Sequence, residues 1–149
     1  MLAIWNDPAF VRHVGDRGIR TLEQAQAALA EGVLKLWDEF GYGPYCMILK
    51  SSESAVGICG LFRREKLEHP DIGFAVLPQF CGLGLAREAA DRVIEHARDE
   101  LDLEILTAIV APDNDASVRL IEKLGFSFNR GITMPGEEEQ IRLYCLRLR

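Results

Sequence analysis

DIGFAVLPQFCGLGLAREAADRVIEHA, residues 71–97, joins an apolar strand-like run, a proline, two glycines one residue apart and a helix-like run. Pro78 has no N–H to give a sheet, so it ends the strand. The helical run sets Ala86, Ala89, Ala90, Val93, Ile94 and Ala97 on one face and Arg87, Glu88, Asp91, Arg92, Glu95 and Arg98 on the other. Gly-x-Gly at such a junction lets the backbone close on a ligand and frees the amides around Leu83 to Ala86, while the helix dipole favours an anion there. The stretch therefore predicts a strand, an anion-receiving loop and an amphipathic helix.

Upstream, WNDPAFVRHVG reads as a short helix capped by Asp7 or Asn6 with Pro8 at its first position. TLEQAQAALAEGVLKLW opens with Thr21 and Gln24 spaced as a capping box. From Tyr45 the period changes: YCMILK, SSES and AVGICGLFRRE read as a strand, a polar turn and a strand, with DIGFAVLP as the next strand. Downstream, EILTAIVAP reads as a buried strand and DASVRLIEKLG as a helix with Gly125 past its end. FSFNRGITM and QIRLYCLRL form a closing hairpin around PGEEE. Hairpins flanking a strand–helix–strand crossover predict an α/β (α+β) fold with a mixed, mostly antiparallel central sheet and helices on both faces.

The 149 residues suit one domain spanning 1–149, with 48% hydrophobic and 27% charged residues. No apolar run approaches bilayer length and no signal peptide is recognisable, so no membrane role is expected and the cytoplasm is the expected compartment. A net charge of −6 without clustered Lys and Arg argues against nucleic acid as a partner. Cys46, Cys59, Cys81 and Cys145 are scattered singly, and the three histidines are isolated; this predicts neither a metal site nor a disulfide scaffold.

Three anion-binding loops compete for residues 79–86. The Walker type needs G-x-x-x-x-G-K followed by Ser or Thr, which is absent. The dinucleotide fingerprint needs a third glycine where Arg87 stands. The remaining type, Q-x-x-G-x-G/A, receives the pyrophosphate of coenzyme A, and Gln79-Phe80-Cys81-Gly82-Leu83-Gly84 fits it.

With IVAPDNDASVRLIEKLGF, residues 109–126, the stretch resembles the GCN5-related N-acetyltransferase (GNAT) superfamily, in the branch that includes ribosomal-protein alanine acetyltransferases. Asn114, Ser117, Gly125 and Phe126 follow the loop at the family's spacing and order, and IWNDPAFVRHVGDRGIRTLEQA resembles the opening helices of that branch. The resemblance implies transfer of acetyl from acetyl-CoA, as cosubstrate, directly to a primary amine of a small molecule or a protein N-terminus. It also implies that Gln79, Gly82, Leu83, Gly84, Leu85 and Ala86 cradle the pyrophosphate, that the backbone of Phe74, Ala75 and Val76 pairs with the pantetheine arm, and that Asn114 contacts that arm. Asn114 also suits a helix N-cap, and the two roles are compatible. Relatives usually open with a further strand before the first helix; this chain starts almost at that helix, so either the sequence is clipped ahead of it or the sheet lacks its first strand.

Many relatives carry a tyrosine where this chain has Ile121, which leaves Ser117 as the nearest hydroxyl for the departing sulfur; a helix-start serine is the plainer reading. An ammonium cannot attack a thioester, so a base is needed near the carbonyl. Asp71 is the first candidate, against a plain strand-end aspartate. Cys81 has no partnered histidine at a recognisable spacing, so direct attack fits better than covalent catalysis. Glu137 to Glu139 read as a solvated hairpin tip or as an acidic lining of the acceptor site. A module that binds coenzyme A without transfer is the alternative, and both monomer and homodimer remain open.

Overall fold

The computed structural model describes residues 1–149. Asp7 caps α2 (Pro8–His13): its carboxylate accepts from the Phe10 amide at 3.2 Å, and Pro8 takes the first position, where a missing N–H costs nothing. A two-residue break separates α2 from α1 (Leu2–Trp5). The capping box opens α3 (Leu22–Ala28), with Thr21 Oγ1 accepting from Gln24 N–H and Gln24 Oε1 accepting from Thr21 N–H. A π-helical turn at Leu29–Val33, containing Gly32, joins α3 to α4 (Leu34–Phe40). Gly41, at φ 72°, ends α4 in the left-handed conformation that suits glycine.

Six strands form one sheet in the order β1-β2-β3-β4-β6-β5: β1 (Pro44–Leu49), β2 (Ser54–Phe62), β3 (Asp71–Val76), β4 (Ile105–Val110), β5 (Ser127–Thr133) and β6 (Gln140–Arg147). Every neighbouring pair is antiparallel except β3 and β4. A crossover through α5 (Leu85–Asp99) joins those two, because parallel neighbours need a long connection. β1 and β5 form the two edges of this sheet.

α5 buries Ala90, Val93 and Ala97 against Cys59, Leu61, Ile72 and Leu106 in one apolar cluster. Removing a side chain such as Val93 from water stabilises by roughly 2 kcal/mol. On the opposite face of β2 and β3, Ile58, Phe62, Gly73 and Ala75 line a space shared with Trp5 of α1 and Phe10 of α2, so helices cover both faces. α6 (Asp115–Lys123) buries Ile121 in the same cluster as α5, and Gly125, at φ 93°, turns the chain into β5. Arg12 and His13 of α2 meet Asp113 at 3.0 and 3.2 Å, fastening α2 to the loop before α6. No helix is long and apolar enough to cross a membrane.

Candidate active site

β3 and β4 share a single register pair, Asp71 opposite Thr107, and then part. At that apex the Pro70 carbonyl accepts from Thr107 N–H at 2.9 Å and from the Thr107 hydroxyl at 3.1 Å. Farther along β3, Leu77 N–H donates to Val56 O of β2 at 2.8 Å. Backbone groups alternate sides along a strand, so Ala75, in register with Ile58, is also turned to β2. Phe74 and Val76 therefore turn their N–H and C=O groups into the gap. The gap offers a free strand edge to an extended ligand.

That gap opens into a cavity of about 430 Å³. Gly73, Phe74 and Ala75 line one wall, Ala108 to Ala111 another, and Asn114 and Ser117 at the start of α6 a third. Asn114 caps α6: its Oδ1 accepts from Ser117 N–H at 3.2 Å, while its Nδ2 and the Ser117 hydroxyl have no partner in the chain. The cap thus sets the direction of the Asn114 amide and leaves its donor half available.

β3 runs on through the short helical turn Pro78–Phe80 into the glycine loop. Gly82 and Gly84 both stand at φ 78°, and a Cβ on either would meet nothing within 4 Å. The positive φ, and not crowding, is what demands glycine here. The first bond of α5 runs from Glu88 N–H to Gly84 O, and the N–H groups of Gly82, Leu83, Gly84, Leu85, Ala86 and Arg87 have no acceptor within the chain. Six successive free donors at a helix N-terminus form an anion cradle. Gln79 is exposed in the preceding turn and its side chain has no partner. Cys81 makes only long thiol contacts to the Val76 and Leu77 carbonyls, at 3.7 and 3.6 Å, and no histidine pairs with it.

Asp71 is 1% exposed, unlike the solvated turn residue that a strand-end aspartate suggests. Its two oxygens accept from the single Nε of Arg64 at 3.1 and 3.0 Å. Burial raises its carboxyl above the ordinary range, and the Arg64 guanidinium pulls it partly back. A proton from an acceptor amine would have to compete with that ion pair. Arg64, which lies over Phe62 at 5.6 Å, escaped the sequence reading because nothing in FRRE distinguishes it from a solvated charge. Arg17, stacked 5.8 Å from the Trp5 ring centroid, and Glu137 line the same cavity. Only the acidic hairpin tip had drawn notice in the sequence.

A larger groove of about 670 Å³ lies between β1 and α5, lined by Met47, Leu85, Ala89 and Val93. Asn114, Ser117 and Phe74 of the open strand edge meet instead at the smaller cavity, which makes it the candidate site. The residues contain no group of three or more His, Cys, Asp or Glu able to hold a metal ion.

A run of unpaired amides at a glycine-bearing helix terminus and a split between two parallel strands are, in this α/β fold, groups chemically suited to an extended, negatively charged ligand. The chain belongs to the GNAT acetyltransferase family: the acetyltransferase (GNAT) domain matches residues 1–127. It is 24% identical over 140 residues to the uncharacterized N-acetyltransferase p20 of Bacillus licheniformis, spanning 93% of this chain and 78% of that one. Among solved structures, a putative GNAT-family acetyltransferase from Bordetella pertussis superposes with a TM-score of 0.78 at 26% identity, over 97% of this chain and 84% of that one. The ribosomal-protein alpha-N-acetyltransferase RimL, solved in complex with coenzyme A, shares the fold with a TM-score of 0.82 at 15% identity, over 98% and 84% of the two chains.

Proposed function

We propose that this protein is an acetyl-CoA-dependent N-acetyltransferase that passes the acetyl group directly to a primary amine of a small molecule or a protein N-terminus. The run of six unpaired amides from Gly82 to Arg87, beside an open edge of β3, carries this reading. The amides receive the pyrophosphate, with Gln79 at the loop's entrance. Phe74 and Val76 pair with the pantetheine arm, and Ala75 contributes to the wall. Asn114 gives its free Nδ2 to an acceptor on the arm.

In the reaction the neutral amine nitrogen attacks the thioester carbonyl carbon, the C–N bond forms, the C–S bond breaks, and the nitrogen's proton leaves through water as the thiolate gains one. Holding amine and thioester together supplies much of the rate. Ser117 donates a hydrogen bond to the departing sulfur. Asp71 has its place as the counter-ion that positions Arg64; a base role would act only through water.

A second reading, a module that binds coenzyme A without transfer, draws on Ile121: it is buried, and it stands where many relatives carry an acidic phenol. Titration of the protein with acetyl-CoA in a calorimeter, followed by thiol release across an amine panel, separates the two. Binding with amine-dependent release is the expected result, and binding without release from any amine would favour the second. Ser117→Ala is expected to lower kcat about tenfold or more, the scale of losing one donor to a developing charge, without changing the Kd for acetyl-CoA. An unchanged kcat would remove Ser117 from the mechanism.

A further inference from the structure

The cavity carries charged groups whose hydrogen-bonding capacity the chain leaves partly or wholly unfilled. Arg17 makes no hydrogen bond or ion pair: Asp16, next to it in sequence, is engaged by Arg20 at 2.6 Å and by the Gly18 amide at 2.8 Å. The Arg17 guanidinium rests on Trp5 and lines the cavity. Arg64 spends only its Nε on Asp71, so its two terminal nitrogens add further unfilled donors on the same wall. Glu137 lines the same cavity; its carboxylate is likewise unpaired, while its backbone N–H is held by the Met134 carbonyl. Much of the remaining lining is apolar, including Phe10, Val33, Phe62 and Met134.

An unpaired guanidinium, a second with free terminal nitrogens, an unpaired carboxylate and an apolar lining in one cavity match a zwitterion with an apolar body. Resting on the acetyltransferase reading, we infer that the acceptor is an amine bearing a carboxylate, of the class of an apolar amino acid, and that Arg17 receives the carboxylate while Glu137 draws in the amine. A polycation, which the acidic hairpin tip alone would suggest, meets repulsion from the Arg17 guanidinium, which no carboxylate of the chain pairs. Burial, and next the nearby Arg64 charge, lower the Arg17 pKa, which marks a cation short of counter-charge that an incoming carboxylate supplies. The amine must still shed its proton before attack, and Glu137 is placed to hold the ammonium while water takes that proton.

The test compares leucine with isoamylamine and phenylalanine with phenethylamine, pairs that differ only in the carboxylate, alongside spermidine. Thiol release gives kcat and KM, and calorimetry on the coenzyme A-bound protein gives binding. The carboxylated partner of each pair is expected to be favoured about tenfold or more, the scale of one charged hydrogen-bond partner. Arg17→Gln should erase the preference through KM, leaving kcat, the decarboxylated amines and the Kd for coenzyme A unchanged. If the amino acids bind in a carboxylate- and Arg17-dependent way without thiol release, the inference stands and the transfer reading fails. Preference for spermidine or the decarboxylated amines, no carboxylate-dependent binding, or an Arg17→Gln loss shared equally by both members of a pair would overturn it.

Discussion

Gly84→Val is expected to weaken binding of coenzyme A by about a hundredfold or more while leaving binding of pantetheine, which lacks the pyrophosphate, unchanged. Gly84 is the N-cap of α5 at φ 78°, where a β-branched residue is a strong outlier. Holding such a residue there costs roughly 1–2 kcal/mol. The backbone will instead relax toward negative φ, and that rotation swings the amides of Leu83 to Ala86 away from their common focus. Each hydrogen bond to a charged group is worth roughly 1.5–3 kcal/mol, so losing two reaches the hundredfold scale. The valine side chain would also project into the open space in front of the cradle, since nothing in the protein lies within 4 Å of a Cβ there. Calorimetric titration of wild type and variant with both ligands checks it, with a thermal melt to confirm folding. Equal coenzyme A affinity in the two proteins would remove the anion cradle from the site.

The glycine loop could be read in the sequence because its geometry is local: two residues forced to positive φ and a helix start are consequences of the chain's own stereochemistry. The same holds for the Thr21–Gln24 capping box, Pro8 behind Asp7, and the apolar face of α5, each fixed by residues within a few positions of one another. The Asn114 cap belongs here too, and its cap role and its place in the cavity coexist, as the sequence left open. What the sequence could not supply depends on distant partners. That β3 and β4 meet at Asp71 and Thr107 and then part is a pairing between strands separated in the chain by the whole of α5. The π turn at Leu29–Val33 has Gly32 as its only local hint. Asp71 looked like a strand-end aspartate because the residue that removes it from water, Arg64, lies on another strand's exit. The seat of Arg17 on Trp5 is equally nonlocal, since it depends on where α1 places that ring. Residue type alone offered Asp71 as a base; that it is buried and paired with Arg64 is a property of the folded protein that residue type does not carry.

That ion pair makes a second large effect measurable. Arg64→Leu is expected to destabilise the protein by about 3 kcal/mol at neutral pH, because it strands a buried carboxylate without its cation. The figure sits at the lower end of the usual range because the Arg64 side chain is 35% exposed and partly screened. The pH dependence is the sharper signature. In the unfolded chain Asp71 titrates near its ordinary value of 3.8, whereas in the folded protein burial already holds it higher, and without Arg64 it goes higher still. Below the unfolded value both states carry the proton and the penalty vanishes. Above it the unfolded chain releases the proton that the folded variant keeps, so stability falls as pH rises, by about 1.4 kcal/mol per pH unit at most, until the folded carboxyl ionises. Wild type shows the same sign with a shallower slope, because Arg64 offsets part of the burial. Urea unfolding of both proteins across the acid-to-neutral range checks this, and a flat difference between them would mean that Asp71 is solvated in the folded state. Adding Asp71→Asn to Arg64→Leu removes the titrating group and should flatten the curve. Asp71 opens β3 at the apex where β3 meets β4, so the variant is also expected to loosen the split itself. A site that holds its ligand on a free strand edge needs that apex shut, which gives the pair a reason to be buried apart from any part in proton transfer.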